Sequence, residues 1–476
     1  MAPLVKTGGL GDVLSSLPQA MADLGHEVRV CLPYYAAINN QKAHIKSTGI
    51  KGEVKIGKFS KLYEILQIQM DNTSFEIHLI DNKDYFGRIG LYANGKTGKV
   101  FHDNDERFSF FCRAMLDYLK KSNWRPDIIH AHDWQTALLP VYINTIEKNQ
   151  AQFKNTRTVL TIHNMSYQGK FDKNRYPLLG LPVELIYATN QLEYYDESNF
   201  LKGGISFADK ITTVSEAYAR EIQRALGCGL EGVLRERTKD VVGILNGVDY
   251  SIWSPSSDKN IPHRYNISNL SGKRKNKVEL LNRSKLPIHE GTPLIGMVGR
   301  LVEQKGLRLV IEGSEELFEM NLQLIILGTG DKAIEQELKK LELRHGRRLK
   351  VYLKFDEKLA HEIEAGADIF LMPSLFEPCG LNQMYSLKYG TPPIVHKVGG
   401  LADTVSEFEE STGIGTGFVF EDFSVEAMIQ SIGRAVRLYS KKRKWTKLMK
   451  NGMKQDFSWN KSAEKYSQLF ASLVGN

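Results

Sequence analysis

A chain of 476 residues exceeds what one hydrophobic core usually supports, so it predicts two domains or more. With 42% hydrophobic and 25% charged residues the composition is ordinary for a globular protein, which excludes a disordered or fibrous chain. The net charge of +8 comes from 63 basic and 55 acidic side chains spread over both halves with no nucleic-acid motif, so a small anionic ligand fits better than DNA or RNA.

Lys6-Thr7-Gly8-Gly9-Leu10-Gly11-Asp12 comes first, followed by an amphipathic run, Val13 to Leu24, that reads as a helix. Glycines let a backbone approach a ligand, and free N–H groups at a helix start beside an ammonium suit a phosphate. The same residues also make an ordinary tight turn into a helix. A loop of this kind normally hangs on a strand, yet only Met1 to Val5 precede it and Pro3 suits a central strand poorly. A first strand is therefore expected to be missing from this chain, which puts its activity in question.

Leu24-Gly25-His26 is a helix stop leading into the strand Glu27 to Leu32. Leu62 to Met70 and Phe75 to Asp81 read as strands joined by a hairpin at Asp71-Asn72-Thr73, and Asn82 to Asp103 as a loop. Phe108 to Leu119 is an amphipathic helix. Three buried-type strands follow: Asp127 to His132, Thr158 to Ile162 closing on His163-Asn164, and Lys210 to Val214 feeding a helix through Ser215. Val241 to Leu245 closes on Asn246-Gly247-Val248-Asp249. This alternation of strand and helix predicts parallel sheets covered on both faces.

Residues 251–290 are polar and read as an inter-domain connection. The pattern then restarts with Pro293 to Val298, ending in Gly299-Arg300 and followed by Glu303-Gln304-Lys305-Gly306. Leu322 to Leu327, Leu349 to Leu353 and Asp368 to Met372 are further strands. Glu377-Pro378-Cys379-Gly380 opens a helix to Tyr389, and Pro393 to Val395 runs into Gly399-Gly400-Leu401. At the tail, Ala463, Tyr466, Phe470 and Leu473 share one helical face, which needs an apolar partner. No strict Gly-x-Gly-x-x-Gly with a following acidic residue is present, which counts against a dinucleotide enzyme.

Ligands of open α/β sheets sit beyond the carboxyl ends of the strands. Arg300 and Lys305 straddle one such end, where two cations converge on a diphosphate; the alternative is plain surface charge. Glu377 precedes a helix start, and the N–H groups of Gly380 and Leu381 suit an anion or sugar hydroxyls, although Glu377 is also a plain helix-dipole residue. Cys379 reads as packing or ligand-lining rather than as a nucleophile. His163 is either a core histidine or a site residue. His130-Ala131-His132-Asp133 has no further His or Cys to complete a metal sphere and reads as a hydrogen-bonding cluster that positions a loop. Cys31, Cys112, Cys228 and Cys379 form no CxxC pair, which fits a reducing cytoplasm and neither a disulfide framework nor zinc. No apolar run is long enough for a membrane span, and no signal peptide is read at the start. The basic run Lys441-Lys442-Arg443-Lys444 is one exposed helix face.

Together these residues resemble bacterial glycogen synthase and plant starch synthase. Lys6 to Leu10, Leu24 to Val28, His130 to Trp134, Thr161 to Asn164, Ile244 to Asp249, Gly299 to Leu301, Phe376 to Leu381, Gly399 to Val405 and Phe457 to Trp459 match that family's motifs in order, over essentially the whole chain. The resemblance implies an α/β fold of two Rossmann-like domains facing across a cleft, a GT-B glycosyltransferase. Its first domain spans 1–248 on the acceptor side, its second 249–456 on the nucleotide-sugar side, and a last helix, 457–476, crosses back. It implies transfer of α-glucose from ADP-glucose to the non-reducing end of an α-1,4-glucan with retention, without metal or cofactor, in the cytoplasm. His163, Arg300, Lys305 and Glu377 would be catalytic; Lys6, Gly8, Gly9, Asp12, Asn164, Asn246, Cys379, Gly380 and Leu381 would bind substrate. One position departs from the family's motifs, Asn382 where a threonine is usual, and Asn can still hydrogen-bond; Tyr385, where many related glycosyltransferases carry a second glutamate, fits the starch and glycogen synthase branch. A UDP-sugar-dependent relative and an inactive α-glucan-binding relative are the competing readings. Donor preference, oligomeric state, regulation and acceptor length are not legible in the chain.

Overall fold

The computed structural model describes residues 1–5, 8–38, 44–70, 73–289 and 291–475; the expected contact from Lys6 and the hairpin residues Asp71 and Asn72 lie outside them. The chain divides into two units, one of residues 1–247 with 459–476 and one of residues 248–458.

Among the described residues the first unit holds eleven strands: β1 (Arg29–Pro33), β2 (His44–Ile56), β3 (Phe59–Gln69), β4 (Glu76–Asp81), β5 (Ile128–His132), β6 (Arg157–Ile162), β7 (Lys170–Asp172), β8 (Glu193–Tyr194), β9 (Glu197–Asn199), β10 (Lys210–Thr213) and β11 (Val241–Gly243). β11-β10-β6-β5 form a parallel sheet. β6 is buried along all but its first residue, as a strand covered on both faces must be. Its register sets His132 opposite Thr161 and Thr213 opposite Ile162, so the polar strand ends lie along one edge. β1-β4-β3-β2 form a mixed sheet in which only β1 and β4 are parallel. β7, β9 and β8 make a small antiparallel sheet.

Two sequence expectations need correction here. β2 was not foreseen: it is an edge strand whose alternation, kept by Ile50, Val54 and Ile56, is broken by a register shift between Ser47 and Lys51 and diluted by Gly49 and Gly52. The Asn82 to Asp103 stretch contains a helical turn, Lys83–Phe86, capped by the Asn82 side chain on the Tyr85 N–H at 3.0 Å. Met1 to Val5 form a turn in which Met1 and Leu4 are buried.

The apolar tail face finds its partner in the Gly9–Asp23 helix. Val13, Leu17, Ala20 and Met21 pack with Ile244 and with Trp459, Ala463 and Tyr466 of the Trp459–Val474 helix. The chain leaves and re-enters this unit at one point, where a Cβ on Gly247 would lie 2.5 Å from the Trp459 Cα.

The second unit is one six-stranded parallel sheet, β14-β13-β12-β15-β16-β17, from β12 (Leu294–Val298), β13 (Gln323–Leu327), β14 (Leu349–Tyr352), β15 (Ile369–Met372), β16 (Pro393–His396) and β17 (Phe418–Phe420). Two apolar clusters cover its faces. Part of the polar stretch 251–290 is not a connection but a helix, Ser271–Ser284, built into this unit. Its buried face carries Lys273 and Lys277 in place of apolar residues. The Lys273 ammonium donates to Thr391 Oγ1 at 2.5 Å and the Ala365 carbonyl at 3.2 Å; Lys277 pairs with Asp368 at 2.5 Å and donates to the Thr292 carbonyl at 2.7 Å. Satisfied in this way, buried ammonium groups are tolerated in a core.

Candidate active site

In the second unit Arg300, Lys305, Glu377, Gly380 and Leu381 line one cavity of about 220 Å³ beyond the carboxyl ends of β12 and β15. Glycines bring its loops together. A Cβ on Gly328 would lie 1.9 Å from the Gly299 carbonyl oxygen, and one on Gly306, at φ +70°, only 1.8 Å from that of Pro373. The single turn Glu303–Lys305 then carries the Lys305 Nζ to 2.5 Å from Glu377 Oε2. Ser374 Oγ donates to the same oxygen at 3.0 Å. Glu377 is buried and Arg300 is exposed. Gln304, which the sequence reading passed over, is the strut between the two loops: its carbonyl accepts from Leu375 N at 2.9 Å and its amide donates to the Phe376 carbonyl at 3.1 Å.

The Glu377 turn is locked by backbone contacts. Gly380 has φ +71°, a conformation that favours glycine. A Cβ on Gly400 would lie 1.9 Å from the Cys379 carbonyl oxygen, and Gly400 N donates to the Glu377 carbonyl at 3.1 Å. Cys379 itself is buried. Asn382, the departure from the family pattern, ties the following Asn382–Lys388 helix to β12 by donating to the Val298 carbonyl at 2.7 Å. Tyr385 stacks on Trp253 at 3.9 Å; the same indole stacks on His361 at 3.7 Å and meets Tyr389 edge-on at 6.5 Å. This buried stack joins residues far apart in the chain, and no local pattern announces it. A larger cavity of about 480 Å³, lined by His263, Arg264 and Lys275, shares no residue with the site.

In the first unit the strand ends gather three imidazoles. His130 and His132, two apart on β5, face the same side with ring centroids 4.2 Å apart, as a two-residue period requires. His132 Nδ1 lies 3.1 Å from His163 Nε2, and His130 Nε2 lies 2.6 Å from Thr161 Oγ1. Burial pushes all three imidazoles down, His163 to about 4, so they are neutral near pH 7. Asp133, at φ +56°, accepts the His163 N–H on Oδ1 at 2.7 Å, and burial pushes its carboxyl up to about 7. The His-Ala-His-Asp cluster thus positions the His163-Asn164 loop, as its sequence suggested. Among the described residues no group of three or more His, Cys, Asp and Glu is arranged to hold a metal ion.

Gly8 is the N-cap of the Gly9–Asp23 helix, and Asp12 lies half-buried in its first turn. Neither Gly8 nor Gly9 has a positive φ, and a Cβ on either would meet nothing within 4 Å. The fold does not require glycine at either position, and the space above them is open. Asn246 is buried, and among the described residues its Oδ1 has no hydrogen-bond partner. Among the described contacts none joins Gly8, Gly9 or Asn246 to His163.

Residues 1–236 match the family model of the starch synthase catalytic domain, and residues 279–452 that of glycosyl transferases group 1. The chain is 42% identical to glycogen synthase 2 of Geobacter metallireducens over 477 residues, covering 100% of this chain and 98% of that one. It is 43% identical to a glycogen synthase of Anaeromyxobacter sp., at 100% and 98% coverage. The catalytic domain of starch synthase IV from Arabidopsis thaliana, solved with ADP and acarbose, matches with a TM-score of 0.89 at 32% identity over 100% of this chain and 98% of that one. Sucrose-phosphate synthase from Thermosynechococcus elongatus, at 17% identity, 98% and 94% coverage and a TM-score of 0.60, is alike in fold alone.

Proposed function

The chain belongs to the starch and glycogen synthase family of two-domain glucosyltransferases, and from that premise we propose that it transfers α-glucose from ADP-glucose to the non-reducing end of an α-1,4-glucan, with retention. The observation that carries the reading is the shared cavity of Arg300, Lys305 and Glu377 at the ends of β12 and β15. The two cations neutralise the departing diphosphate, the largest electrostatic term in such a transfer. Glu377 Oε1 and the N–H groups of the Gly380-Leu381 turn hold the glucose hydroxyls. His163, neutral through burial, bonds the sugar without placing a positive charge beside an oxocarbenium-like anomeric carbon.

The bond from the anomeric carbon to the diphosphate oxygen breaks as the acceptor hydroxyl bonds the same face. The leaving phosphate oxygen takes the acceptor proton. The donor's charge is met by Arg300 and Lys305, and the reaction needs neither metal nor cofactor. Four cysteines without a disulfide fit a cytoplasmic location; among the described residues no helix is long and apolar enough to cross a membrane.

The test is incubation with glycogen and either ADP-glucose or UDP-glucose, following label into polymer with and without EDTA. Incorporation from ADP-glucose, unchanged by EDTA, is the expected result. Incorporation from UDP-glucose alone, or loss with EDTA, contradicts it.

A further inference from the structure

We propose that Trp253 is a positioning residue for the sugar-holding turn: its indole, clamped between His361 and Tyr385, fixes the Asn382–Lys388 helix and through it the Gly380-Leu381 N–H groups. This role rests on the donor reading above. The indole lies 3.7 Å from the His361 ring with 10° between the planes, and 3.9 Å from the Tyr385 ring with 2° between them. It also meets Tyr389 edge-on at 6.5 Å. His361 belongs to the Glu357–Gly366 helix and Tyr385 to the Asn382–Lys388 helix, so one flat ring sets the spacing of two helices. An aliphatic side chain is rounder and turns about its own bonds, so it does not hold two facing rings parallel.

The sandwich stands on an anion. Asp258 Oδ2 lies 2.7 Å from His361 Nδ1 and accepts the Tyr389 hydroxyl at 2.5 Å. Tyr385 and Tyr389 are four residues apart and share a helix face, so Trp253 and Asp258 grip that face at two points. The Tyr265 hydroxyl adds a third by donating to the Tyr389 carbonyl at 2.7 Å. Asp258 and His361 are both buried, at a cost in free energy that an apolar pair does not carry. What the pair returns is one fixed orientation of the imidazole plane. Tyr250, three residues before Trp253, takes the Lys388 ammonium over its ring at 4.2 Å, so one short segment holds both Tyr385 and Lys388. At its start the helix is bonded into the turn. Tyr385 N donates to the Leu381 carbonyl at 3.0 Å, and Gln383 Nε2 donates to the carbonyls of Cys379 and Gly380, each at 3.0 Å. A shift of the Tyr385 ring is therefore carried one helical turn to the N–H groups assigned to glucose. Arg300 and Lys305 lie in a separate loop after β12, so the grip on the diphosphate does not run through the stack.

Trp253→Leu keeps an apolar side chain and removes the plane. Its kcat/KM for ADP-glucose is expected to fall about tenfold, while the inhibition constant of ADP, which has no glucose, stays within about twofold of wild type. Trp253→Phe, which restores a flat ring, brings kcat/KM back to within about threefold. Tyr385→Leu removes the facing ring and is expected to show the same split; it carries the test if circular dichroism finds Trp253→Leu unfolded. A folded Trp253→Leu protein with kcat/KM within about twofold of wild type overturns the proposal. So does an ADP inhibition constant that weakens as much as kcat/KM, because the stack then only holds the unit together. A Trp253→Phe variant as slow as the leucine overturns it too. If the wild-type protein turns over UDP-glucose and not ADP-glucose, the donor assignment fails, and the same split between UDP-glucose and UDP decides the role of Trp253.

Discussion

Replacing Lys305 with alanine probes the cavity at its ion pair. The ammonium now lies 2.5 Å from Glu377 Oε2, and Glu377 is 6% exposed. Alanine removes one of the two cations and leaves the buried carboxylate, among the described residues, with the Ser374 hydroxyl as its bonded side-chain partner. An ammonium about 4 Å from a phosphate oxygen interacts by about 4 kcal/mol at an effective dielectric near 20. Lys305 is partly open to solvent, 24% by side chain, which roughly halves this to about 2–3 kcal/mol. The expected loss in kcat/KM for ADP-glucose is therefore about 30- to 150-fold. Steady-state kinetics measures it, with circular dichroism to show that the variant is folded. The double variant Lys305→Ala/Glu377→Gln separates the two roles: the unpaired carboxylate is relieved, so stability returns while turnover stays low. A loss below about tenfold in the folded Lys305→Ala protein, about 1.4 kcal/mol, refutes the diphosphate role.

The histidine cluster makes stability pH-dependent. His130, His132 and His163 bind protons less readily folded than unfolded, whereas Asp133 binds one more readily. Three histidines against one aspartate leave about two protons taken up on unfolding as pH falls from about 6.5 toward 5, so Tm drops over that window; a flat Tm contradicts the burial argument. Asp133→Asn keeps the acceptor for the His163 N–H and removes the ionised form, so by thermal denaturation it stabilises most above pH 7, and the gain shrinks as pH falls toward the ordinary aspartate range. Gly400→Ala puts a methyl 1.9 Å from the Cys379 carbonyl, and displaces the Glu377 turn: turnover is expected to fall at least tenfold by kinetics, with the six-stranded sheet intact by circular dichroism. Tyr466→Ala empties a fully buried position between the two helices of the first unit and costs about 3 kcal/mol in denaturant unfolding.

Much of the second unit was legible because its strands are continuous apolar runs that end in glycine and polar residues. Arg300, Lys305 and Glu377 stand at those ends, and the parallel sheet gathers them. The tail helix was legible for a similar reason: Ala463 and Tyr466 keep a helical period, and their partner had to be apolar. The misses have physical causes. β2 presents polar side chains along an exposed edge. The Ser271–Ser284 helix carries Lys273 and Lys277 on its buried face, and their ammonium groups are satisfied mostly by partners about 90 or more residues away, Ala365, Thr391 and Asp368. Gln304 and Trp253 act through contacts across 70 residues or more of chain, which no local period records. Asp133 was legible as a residue type, but not its positive φ or its bond to His163.

The most direct measurement is an experimental structure with ADP bound. The account predicts the diphosphate within hydrogen-bonding distance of both Arg300 and Lys305, with the Lys305–Glu377 pair loosened. A diphosphate lodged instead against His263, Arg264 and Lys275 in the larger cavity, with Arg300 and Lys305 untouched, contradicts it.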